Sequence, residues 1–103
     1  MKVKTPETGG ICQSLQGRDK GRYYLIVGVD ERGNVLVTDG NFKRLSQPKK
    51  KNVKHLRLLP EKAESIALKL TEGAHVFDTE IYSALKSYNY PQPAEETSGG
   101  ENN

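Results

Sequence analysis

Apolar and polar positions change rhythm once along the chain. From Ile11 to about Leu59 the apolar residues come in short runs separated by turn residues. The runs are Ile11–Leu15, Arg22–Asp30 (RYYLIVGVD), Val35–Thr38 (VLVT), Phe42–Leu45 and His55–Leu59 (HLRLL). Runs of four to nine residues, rich in β-branched and aromatic side chains and bounded by Gly, Asp and Asn, predict five strands. Gln16–Gly21, Glu31–Asn34 and Asp39–Asn41 read as turns, so the segment from Tyr23 through Asn34 to Thr38 predicts a hairpin. Ser46–Lys54 reads as a polar loop. Five short strands joined by tight turns favour a small closed barrel, because closure removes exposed edges.

After Pro60 the period becomes helical. Ala63, Ile66, Ala67 and Leu70 share one face, with Pro60-Glu61 at the start and Gly73 as the stop. A second helix is predicted from Asp78, as its cap, with Ile81, Leu85 and Tyr88 on one face. Two short helices need something to pack on, and the barrel is the candidate within the chain. The expected organisation is a flexible stretch 1–8, a barrel 9–59, a helical extension 60–90 and a disordered tail 91–103 of Pro, Gln, Glu, Ser, Gly and Asn. The expected class is mostly β with C-terminal α: a small five-stranded barrel followed by two helices.

Charge sharpens the picture. Residues 1–57 carry thirteen Lys/Arg against five Asp/Glu, whereas residues 58–103 carry three against eight. A basic half suggests a polyanionic partner. The chain has no run of about 18 apolar residues, its N-terminal residues lack the apolar stretch of a signal peptide, and its single cysteine has no internal partner, so a cytoplasmic protein is expected.

Two segments concentrate the cations. The first is the turn Gly17–Gly21 with Arg18, Lys20 and Arg22 around Asp19; such a turn can sit across a phosphate backbone, and its alternative is an ordinary hairpin turn with solvated charges. The second is Lys49, Lys50, Lys51, Lys54, His55 and Arg57, extended by Lys43 and Arg44; its alternative is a solvated basic loop. Gly17, Asp19, Gly21, Asp39 and Gly40 are assigned to turn structure. Tyr23, Tyr24 and Phe42 are the aromatic candidates in the basic half for stacking on unpaired bases. Strand alternation sends Tyr23 and Tyr24 to opposite faces, one core and one exposed, without deciding which, and Phe42 is assigned to the core rather than to a stacking platform. Cys12 reads as a buried small residue, and Cys12, His55 and His75 have no spacing of a zinc site or thiol–imidazole pair. No catalysis, cofactor or metal is expected.

The segments GxCxSLxGRDKGR, YYLIVGV and VLVTDG, followed by PKKKNVKHL, resemble a KOW motif over about residues 8–59, closest to the large-subunit ribosomal group and to small bacterial KOW-domain RNA-binding proteins. Many KOW motifs carry a glycine where this chain has Tyr24, which favours the ribosomal type. The resemblance implies an SH3-like barrel that docks on structured RNA. The expectation is a monomeric, ribosome-associated protein whose partners are ribosomal RNA and ribosomal proteins. A peptide-binding SH3-like module is the alternative, although the barrel has no tryptophan. A membrane-surface protein is not expected, because no basic amphipathic helix is present.

Overall fold

The computed structural model describes residues 5–90. The tail 91–103 and the first four residues of the stretch 1–8 lie outside them. Five antiparallel strands, β1 (Gly10–Ser14), β2 (Tyr23–Val29), β3 (Asn34–Thr38), β4 (Lys49–Asn52) and β5 (Leu56–Lys62), form one sheet in the order β4-β3-β2-β1-β5. The two terminal strands of that order are consecutive in sequence and joined only by a single 3-10 turn, Val53–His55. The sheet therefore curls round on itself as a small SH3-like barrel. Helices α1 (Glu64–Glu72) and α2 (Asp78–Asn89) follow.

Strand alternation builds two apolar clusters from the same strands. Cys12, Tyr24, Ile26, Val35, Val37 and Leu56 fill the barrel. Ile11 and Leu25 point the other way and pack with Ile66, Val76, Ile81 and Leu85 of the helical segment. The β1–β2 wall is thus buried on both faces, which is why the run YYLIV is apolar without interruption. Tyr24 is the core tyrosine; Tyr23 is half-buried and lies 5.2 Å, ring to ring, from Tyr88 on α2, so neither tyrosine is fully exposed.

Two glycines permit the helices to dock. Gly9 lies against Ala67 of α1, and Gly40 against the backbone of Asp78 and Tyr82 of α2; a Cβ at either position would overlap those atoms. Both have positive φ (89° and 75°), which other residues adopt at a cost. The end of α2 is anchored by Asn89. Its side chain accepts from the Tyr23 amide (2.8 Å) and donates to the Tyr23 carbonyl (3.1 Å).

Several boundaries differ from expectation for identifiable reasons. Phe42–Leu45 is a bent loop, not a strand, because its amides are used elsewhere: the Asp39 carboxylate accepts from Asn41 and Lys43, and Asp78 Oδ1 accepts from Leu45. The fourth strand is instead Lys49–Asn52, inside the expected polar loop, where Val37 pairs with Lys49 and Val35 with Lys51. The last strand continues through Pro60. A register shift opposite Gly10–Cys12 accommodates the proline on the outermost strand, where its missing N–H costs no ladder bond. Consequently α1 begins at Glu64, and Gly73 ends it in the left-handed conformation. Asp78 is the first residue of α2 rather than its cap; Glu80 reaches back to accept from the Phe77 amide at 3.1 Å.

Candidate nucleic-acid interface

Asp19 organises one end of the barrel. Ser14 ends β1 on its inward face, Tyr24 points inward from β2, and Lys49 and Lys51 alternate inward from β4. All four donate to the Asp19 carboxylate: Tyr24 Oη at 2.6 Å, Ser14 Oγ at 2.8 Å, Lys51 Nζ at 3.0 Å and Lys49 Nζ at 3.1 Å. Lys51 also donates to the Gln16 carbonyl (3.0 Å). Burial by itself would raise the Asp19 carboxyl, but the bonds from Tyr24, Ser14, Lys51 and Lys49 outweigh it and hold the group well below the usual carboxylate range. The same contact works oppositely on Tyr24, whose hydroxyl is raised by burial and by its bond to Asp19. Cys12, deeper in the barrel, is pushed up to about 12 by burial, with Lys51 opposing.

This arrangement divides the lysine run. Lys49 and Lys51 face the barrel mouth and are both paired with Asp19, and the Lys51 side chain is only 9% exposed. Lys50 faces outward, 3.8 Å from Asp30. Only Lys50 of the three is thus well exposed to solvent.

A second anchored acid sits beside the first. Asp39 is buried, and besides closing its own loop it holds Arg22 Nη1 at 3.4 Å. The Arg22 guanidinium lies 4.9 Å from the centre of the Phe42 ring. Phe42 is 66% exposed, contrary to its expected place in the core, because the Asp39-centred loop projects it outward. Arg18 and Lys20 flank Asp19 in its turn, whose Gly17 and Gly21 both have φ of 94°, and Lys43 and Arg44 directly follow Phe42. These four cations are exposed and have no ion pair or side-chain hydrogen bond among the described residues. The Lys49–Asp19 and Arg22–Asp39 pairs tie the two loops together, so the four belong to one end of the molecule. Lys54 is exposed in the 3-10 turn, His55 is half-buried there with its carbonyl accepting from the Leu15 amide, and Arg57 donates to Gln13 at 3.0 Å.

Sequence reasoning marked the cations but missed Asp39 as the support of Arg22 and Phe42 as an exposed ring. The Asp-Gly-Asn turn was the available signal, since an Asp that bonds its own loop amides fixes what that loop presents. Among the described residues no helix is long and apolar enough to cross a membrane, and no cluster of His, Cys, Asp and Glu could hold a metal ion.

No family model matches the chain. Over 84 residues it is 30% identical to the large ribosomal subunit protein eL14 of Aeropyrum pernix, an alignment covering 82% of this chain and 77% of that protein.

Proposed function

The chain belongs to the family of the large ribosomal subunit protein eL14, and from that premise we propose that it is a non-catalytic, ribosome-associated protein of the cytoplasm that docks on ribosomal RNA. The observation that carries the reading is the exposed set Arg18, Lys20, Lys43 and Arg44 on two loops cross-tied by Asp19 and Asp39. The ties fix where the loops stand, so the exposed cations meet phosphates with little ordering cost. Lys50, Lys54, His55 and Arg57 extend the basic surface. Lys49, Lys51 and Arg22 act from behind it, holding the loops rather than reaching for phosphate. Recognition is by backbone shape and charge, as for folded RNA in general.

The peptide-groove alternative lacks support. Tyr24 is buried with its hydroxyl committed to Asp19, and Tyr23 is covered by Tyr88, so neither tyrosine can line a surface groove.

The test is sedimentation of tagged protein from lysate through sucrose gradients at low and high salt, with and without ribonuclease. Co-migration with the large subunit, lost at high salt and in the Arg18→Ala/Lys20→Ala/Lys43→Ala/Arg44→Ala variant, is expected. Protein remaining at the top of the gradient at low salt would sink the reading.

A further inference from the structure

We propose that the loop Phe42–Pro48 is a receptor for one unpaired nucleotide of the RNA, whose base stacks on Phe42. The inference rests on the RNA-docking reading and adds a specific element to it. Phe42 is the most exposed large hydrophobic side chain among the described residues, at 66%. It is not loosely displayed. Its loop is closed by the Asp39 carboxylate and tied to α2 through the Leu45 amide and Asp78. Arg22, itself held by Asp39, rests over the ring at 4.9 Å.

A guanidinium on one side of an exposed aromatic ring makes half of a stack, with the remaining surface available to a second planar group. Phe42, Arg44, Ser46, Gln47 and Pro48 line a hollow of about 300 Å³ in which Arg22 takes no part. That volume is at the low end of small-molecule sites and suits a single base. Ser46 and Gln47 supply donors and acceptors for its edge, and Lys43 and Arg44 supply charge for the flanking phosphates. Fully paired RNA buries its bases in the helix stack and has nothing to offer this hollow, so the partner is a bulged, looped or terminal nucleotide.

The experiment compares two RNA hairpins of equal length by fluorescence anisotropy with the full chain. One is fully paired and the other carries a single bulged 2-aminopurine. The expected result is about tenfold tighter binding to the bulged hairpin, with quenching of the 2-aminopurine on stacking. Phe42→Ala should abolish both the preference and the quenching while leaving affinity for the paired hairpin unchanged, and Phe42→Trp should retain them. Because the ring is exposed, circular dichroism of Phe42→Ala should match the parent. Equal affinity for the two hairpins, or a preference that survives Phe42→Ala, overturns the nucleotide receptor while RNA docking stands. Failure to bind either hairpin at low salt overturns both.

Discussion

Replacing Asp19 with alanine tests whether the barrel mouth is held by charge. The substitution removes four hydrogen bonds of 2.6–3.1 Å and leaves Lys51, 9% exposed, without its counter-charge. Breaking a buried pair from one side costs about 3–5 kcal/mol. Lys49 is 33% exposed and can turn to water, which puts the expected loss near the lower end, about 3 kcal/mol. For a domain of this size that lowers the thermal midpoint by roughly 12–24 °C. Urea unfolding followed by far-ultraviolet circular dichroism measures it, with Lys50→Ala as the control. That outward lysine makes only a 3.8 Å surface contact and should change stability by less than about 0.5 kcal/mol. The pH dependence gives an independent check. A carboxyl whose pKa is depressed in the folded state adds stability that is fully present above its unfolded value of about 3.9 and is lost as pH falls through the folded value. The gap between parent and Asp19→Ala should therefore hold from pH 7 to about pH 4 and narrow continuously below it. A gap under about 1 kcal/mol at pH 7, or one unchanged down to pH 2, would refute the electrostatic account.

Gly40→Ala should cost at least about 2 kcal/mol, since its Cβ meets the α2 backbone in addition to the left-handed strain, whereas Gly73→Ala, which meets only open space, should cost about 1 kcal/mol; equal losses in urea unfolding would contradict the close-approach argument. Asn89→Ala should lose about 1–2 kcal/mol and speed hydrogen exchange at the Tyr23 amide, read by nuclear magnetic resonance; unaltered exchange would show that the anchor is dispensable. Native Cys12 should resist iodoacetamide at pH 8 and react fully in guanidinium, because its thiol is buried and raised to about 12; a native rate within tenfold of the denatured one would count against that burial.

What could be read from the chain beforehand was whatever the hydrophobic effect writes into it. Strands β2 and β3 and the buried faces of both helices follow apolar periodicity, so Ile66, Ile81 and Leu85 were legible. Strand β4 was not, because its inward positions are Lys49 and Lys51, whose placement is licensed by an acid 30 and 32 residues earlier in the chain. No local pattern marks that pairing. The same holds for Phe42, which looks like core until the amides captured by Asp39 are known. The cations of the candidate interface were visible as residue types, but which of them face solvent depends on which acids they meet.

Asn89 completes the hydrogen bonding of a residue 66 positions earlier in the chain. During synthesis, β2 and its neighbours can emerge and pair, but the wall they form stays uncovered on its Ile11–Leu25 side until both helices have left the exit tunnel. The barrel core needs no helix residue, but its outer wall is covered last, by α1 and α2, and a chain stalled before residue 89 lacks the Asn89 anchor that holds that cover in place.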